Sequence, residues 1–149
     1  MSELKKTEVS FDEYKEAVKA VSHRPIMDFK VLSSLKLSLK LDNFIITISD
    51  YWQFWQGDHL IVESHQLLMK ETINRKELEI FYEYKFKMIE LIQISINANH
   101  LPIASIYFQD GSCLMVESTT NLFIKVDNLN HEKYYFDNGK YYKEVAPSA

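Results

Sequence analysis

Five histidines, His23, His59, His65, His100 and His131, are the first residues with chemistry to offer, as metal ligands or as acid–base groups near neutral pH. Metal ligands must converge from fixed spacings, and the chain has no HExxH, CxxC or H-x-H pattern. His59, Glu63 and His65 all fall at odd positions and would share one face of an unbroken strand. An enzyme built on His59 or His65 with a nearby carboxylate would start there. Cys113 follows a turn and is expected opposite Phe108, an apolar place that suits a buried, inert thiol rather than a nucleophile. Glu79 and Glu83 alternate with Lys85 and Lys87, which reads as a solvated face rather than a paired-carboxylate site. There is no G-x-S-x-G elbow, and the three glycines are too far apart for a phosphate-cradling loop. The sequence therefore nominates no catalytic residue, no metal ligand and no cofactor.

A different kind of chemistry is offered by Tyr51, Trp52, Phe54 and Trp55, which include both tryptophans and precede a Gly57-Asp58 turn. Such residues either close the open end of a sheet or form the anchors of an interface, since Trp and Tyr are enriched at binding hot spots. These four are the candidate partner-binding residues. Near the carboxy end Tyr134, Tyr135, Tyr141 and Tyr142 interleave with Lys133, Lys140 and Lys143. Base stacking would suit that pattern, but a hairpin of cross-strand aromatic pairs explains it more simply.

Composition narrows the classes. With 149 residues the chain fits one domain, able to bury about 70% of its unfolded surface. It is 46% hydrophobic and 26% charged, within the range of ordinary globular chains. A net charge of −4 and only two arginines, Arg24 and Arg75, argue against nucleic acid as a partner. Cys113 is the only cysteine, so no disulfide can form within the chain. The first residues, MSELKKTEVS, hold no apolar core of signal-peptide length, and no run approaches the ~18 apolar residues of a membrane span. A cytoplasmic setting is the expectation.

The elements that must position these residues are mostly strands. Residues 1–9 and 145–149 read as frayed ends. Ser10 and Glu13 fit a capping box, and Val9 with Tyr14 a hydrophobic staple, opening a helix over 11–22 with Phe11, Tyr14, Val18 and Val21 on one stripe. Pro25 stops it or begins a second helical piece through Ile26, Phe29 and Leu32. LKLSLKL, an Asp42-Asn43 turn and FIITIS predict a hairpin that pairs Leu41 with Phe44, Leu39 with Ile46 and Leu37 with Ile48. YWQFWQGD interrupts the pattern, and HLIV and QLLMKE follow as short strands. Leu78, Ile80, Tyr82, Tyr84, Phe86 and Met88 alternate in the longest period-two run, resumed at Ile92, Ile94 and Ile96. Hairpins follow at Asp110-Gly111 and at Asn138-Gly139, the latter setting Phe136 opposite Tyr141 or one register step from it, with NLFIKV a strand between them. The expected architecture is one α+β domain over 1–149: an antiparallel, strongly bent sheet or partly closed barrel of about seven to nine strands with one amino-terminal helix.

Within residues 57–118, GDHLIVESHQLLMK and IASIYFQDGSCLMVES resemble the strand rhythm of pleckstrin-homology and GRAM-type domains. Leu60, Val62, Leu67 and Met69 would be the apolar positions of the first pair, and Ile106, Phe108, Asp110, Gly111 and Met115 would form the later hairpin. The carboxy-terminal segment reads as strands where that family has a helix, and Asp42-Asn43 supplies no basic loop for a lipid head group. What the resemblance implies is protein recognition. The leading expectation is a non-enzymatic interaction module with a protein partner bound through an aromatic surface, with homo-oligomerisation left open. The alternative is a half-open barrel lined by Tyr82, Tyr84 and Phe86 that carries a small apolar ligand.

Overall fold

A computed structural model describes residues 5–31, 36–64, 81, 83–118, 123–128 and 132–145. Ser10 accepts a hydrogen bond from the Glu13 amide at 3.1 Å and opens the single described helix, α1 (Phe11–Lys19), whose Tyr14 and Val18 are buried. The strands are β1 (Lys5–Val9), β2 (Arg24–Val31), β3 (Leu37–Leu41), β4 (Phe44–Ile48), β5 (Tyr51–Gln56), β6 (His59–Glu63), β7 (Met88–Ile96), β8 (Pro102–Phe108), β9 (Cys113–Glu117), β10 (Ile124–Asn128), β11 (Glu132–Asp137) and β12 (Lys140–Val145). They form one antiparallel sheet in the order β1-β12-β11-β10-β4-β3-β2-β7-β8-β9-β5-β6. β1 and β6 are its two edges, so the sheet is open rather than closed into a barrel.

The seam between a seven-stranded half and a five-stranded half is short. β2 and β7 pair only through Arg24 with Ile89 and Pro25 with Met88. The inner faces of both halves instead share one apolar core. Phe81 is its hinge pin: it stacks on Phe29 of β2 at 4.9 Å and meets Trp52 and Phe54 of β5 edge-on, each at 5.5 Å. Tyr14 of α1 reaches across the first half to donate a hydrogen bond to the Ile124 carbonyl.

The β3–β4 hairpin has the expected register, with Leu41, Leu39 and Leu37 opposite Phe44, Ile46 and Ile48 and Asn43 at φ 62° in the turn. Phe136 lies opposite Tyr141, as the Asn138-Gly139 turn allows. Other expectations are corrected. Residues 24–31 form a strand, not a second helical piece. A bulge between Ile26 and Asp28 puts Ile26 and Phe29 on the same side, and that three-residue spacing imitates a helix. Lys5–Val9 is an edge strand rather than a frayed end; it has almost no buried side chain and is held by backbone pairing with β12.

The run starting at Leu78 is not one long strand. Residues 83–86 form a turn, closed by hydrogen bonds from the Tyr84 amide to the Phe81 carbonyl and from the Lys87 amide to the Tyr84 carbonyl. Phe81, the residue out of step with the alternation, is fully buried, while Phe86 is 68% exposed at φ 75°. Residues 65–80 and Tyr82, with the QLLMKE strand and Glu79, lie outside the described residues. Met88 then points outward, and a bulge at Glu90 restores Ile92 and Ile94 to the core.

Removing the ring that both halves share should be costly. Phe81→Ala is expected to lower unfolding free energy by about 3–5 kcal/mol, read from urea denaturation; a loss below about 1 kcal/mol would mean that the halves do not meet through this ring.

Candidate functional site

The four candidate aromatics lie on a regular strand, β5, not on an interruption, and the pleat divides them. Trp52 and Phe54 are fully buried and belong to the core around Phe81, which corrects their place in a partner-binding set. Tyr51 and Trp55 lie on the opposite, outward face and are half-buried.

Register places Trp55 in a row that crosses the whole five-stranded half: Leu91, Tyr107, Cys113, Trp55 and Leu60, each opposite the next. Every member is apolar, aromatic or a thiol. The row runs between two bulges, one at Glu90 beside Leu91 and one at Ile61 beside Leu60, and both add an exposed residue to the flank. Leu60, Ile61, Leu91 and Met115 are each more than a third exposed. The seven-stranded half has an outward row of the same kind, and there the sequence reads Lys6, Glu144, Lys133, Asp127, Ile45, Lys40, Asp28. Opposite charges directly across a ladder stabilise a solvated sheet face. That charged row follows the rule for a face turned to water, and the Trp55 row breaks it.

Parallel to the apolar row runs a second: Gln93, Ser105, Met115, Gln53 and Glu63. A third holds Ser95, Ile103, Glu117 and Tyr51. Small side chains on β7 and β8 leave a shallow depression of about 300 Å³, lined by Gln93, Ser95, Ser105, Met115 and Glu117 among others. A hydrogen-bonded chain fixes its neighbours. The Tyr51 hydroxyl donates to Glu63 Oε2 at 2.6 Å, Gln53 Nε2 donates to the Tyr51 hydroxyl at 2.7 Å, and Trp55 Nε1 donates to Gln53 Oε1 at 3.1 Å. Burial and then the Glu63 carboxylate push the Tyr51 hydroxyl pKa up, so it stays a donor. The indole is thereby held in one orientation on the outward face.

Cys113 lies opposite Tyr107, not Phe108, and burial pushes its thiol pKa up. It is half-buried within an outward row of the sheet. His59 opens β6 in an exposed position with Glu63 at the strand's other end, while His65 lies outside the described residues. No group of three or more metal-capable side chains occurs among the described residues. Of the proposed ligand-carrying set, Tyr84 packs between Phe54 and Phe108 and Phe86 points away from the interior.

A polar knot lies outside that face. Asp110 accepts hydrogen bonds from the Ser112 amide at 3.0 Å, the Ser112 hydroxyl, the Tyr84 hydroxyl at 2.9 Å and Lys87 Nζ at 3.1 Å. Burial alone would raise the Asp110 pKa; the donors outweigh it and hold the carboxyl well below the usual range. The knot ties the 83–86 turn to the β8–β9 turn and so fixes one end of the candidate face.

No known protein family model, curated protein or solved structure matches the chain. No helix among the described residues is long and apolar enough to cross a membrane, which says nothing of a β-barrel. What stands is a single-domain α+β fold with an open antiparallel sheet.

Sequence reasoning named Tyr51 and Trp55 but missed Leu60, Leu91 and Tyr107. A signal was present: IYF and CLMV are apolar at consecutive positions, so both faces of β8 and β9 are apolar, unlike the Leu–Lys alternation of β3.

Two outcomes are expected. The Trp55→Phe variant, which retains only Trp52, should emit at short wavelength and resist acrylamide, while Trp52→Phe, retaining only Trp55, should emit further to the red and be quenched readily; the reverse order would turn β5 over. Asp110→Ala should cost about 1–2 kcal/mol at neutral pH, a range that allows for screening of a carboxylate about one-third exposed. Because the folded pKa is depressed, that contribution is complete above the ordinary value of 3.8 and fades as pH falls from there toward the folded value. Urea midpoints of wild type and variant should therefore converge in acid, and a gap constant with pH would contradict the assignment.

Proposed function

We propose that this protein is a non-enzymatic interaction module that docks a protein partner on the outward face of β7-β8-β9-β5-β6. One observation carries the reading: the row Leu91, Tyr107, Cys113, Trp55 and Leu60 is apolar where the matching row of the other half is charged. Contiguous apolar surface kept in water is a common mark of an interaction site, and Trp and Tyr are the side chains most often found as anchors. The likeness of residues 57–118 to pleckstrin-homology and GRAM-type strand rhythm points the same way, toward protein recognition rather than lipid. A reducing, cytoplasmic setting fits a lone thiol within the row.

The test uses a photoreactive benzoylphenylalanine in place of Tyr107 on the candidate face, or of Lys133 on the charged face. Irradiated in an extract of the source cell, the protein labelled at 107 should give a discrete adduct that Trp55→Ala removes, and the protein labelled at 133 should give none. Equal labelling at both positions, or none at 107, would count against the module.

A further inference from the structure

We infer that the partner presents a lysine or arginine within an apolar surface, its cation seated against Glu117 in the depression between β7, β8 and β9. This rests on the docking reading above and adds the partner's chemistry to it. The three outward rows of the five-stranded half carry Glu63 and Glu117 as their only charged side chains, and no lysine or arginine. Glu63 is already engaged by Tyr51. Glu117 stands opposite Tyr51, is exposed, and has no hydrogen bond or ion pair among the described residues. It borders a depression of about 300 Å³ whose other polar lining is neutral: Gln93, Ser95 and Ser105. Carboxylate, amide and hydroxyl oxygens suit the donors of an ammonium or guanidinium group. The lip is apolar, formed by Ile103 and Met115, and would cover the methylene stem of such a side chain. Beside it the Trp55 row offers the apolar contact area.

Charge also selects against other occupants. A two-fold dimer through this face would set the same patch against itself and bring Glu63 and Glu117 toward their own copies with no cation to meet them. A phosphorylated peptide or a nucleic acid would bring anions to the same carboxylates.

The experiment selects a phage-displayed library of random linear peptides on the full chain, then titrates a selected peptide calorimetrically into wild type, Glu117→Gln and Trp55→Ala. Selected peptides should share a Lys or Arg next to apolar residues. Glu117→Gln should weaken Kd about tenfold, the scale of one charge-assisted hydrogen bond, and Trp55→Ala by at least as much. If Trp55→Ala abolishes binding but Glu117→Gln changes nothing, or the selected peptides lack a basic residue, the cation assignment falls and the docking face stands. If neither substitution matters, or no peptide is selected, both fall. Sedimentation equilibrium of the free chain should show a monomer; a dimer dispersed by Trp55→Ala would make a second copy the occupant and overturn the inference.

Discussion

The two halves of the sheet meet on one buried ring. Their seam has two paired residue positions and a few flanking amide hydrogen bonds, from His23 to Ile89, Ile26 to Lys87 and Phe86 to Ile26, and in the interior behind it Phe81 stacks on β2 and receives Trp52 and Phe54 from β5 edge-on. Offset and edge-to-face arrangements are the favoured geometries for aromatic pairs and add to the burial of large apolar area. With that contact made, the inner row of the five-stranded half faces the core: Ile92, Ile106, Leu114, Phe54 and Val62 are all buried. A strand has two faces, and commitment of one to the core leaves the next register position facing water.

That geometric necessity gives the outward rows their meaning. On the seven-stranded half the outward row through Lys133 alternates in charge across the ladder except at Ile45, the ordinary solution for a solvated sheet, and the row beside it sets the Tyr135–Tyr142 pair among charged and hydroxyl side chains. On the five-stranded half the equivalent positions hold leucine, tyrosine, cysteine and tryptophan, with the indole oriented by Gln53, Tyr51 and Glu63. Two treatments of one physical problem within one chain are more informative than the composition of either face alone.

Much of this was legible from the residues and some was hidden for definable reasons. The β3–β4 hairpin and the amino-terminal cap followed from local chemistry, because a two-residue turn and a Ser10–Glu13 pair each determine their own surroundings. Bulges defeated the period reading: one made Ile26 and Phe29 look helical, and another put Met88 out of step with Ile92. The Leu78–Met88 alternation misled because the described part of it is governed by local turn hydrogen bonds and by the Tyr84 hydroxyl on Asp110 and Ser112, none of which leaves a periodic trace. The site was half legible. Tyr51 and Trp55 stood out by type, but their separation from Trp52 and Phe54 required knowing that β5 is a strand, and their neighbours Tyr107, Leu91 and Leu60 are brought together only by the register of five strands.

An outward apolar face kept for a partner contributes little to the fold itself. The most direct measurement is the urea denaturation of one variant in which Trp55, Leu60, Leu91 and Met115 are all replaced by Thr, a good strand former. If the face is kept for a partner, stability should change by about 2 kcal/mol or less, as for substitutions at surface sites. A loss of about 5 kcal/mol or more would mean that these side chains are core, and the account of this face would be wrong.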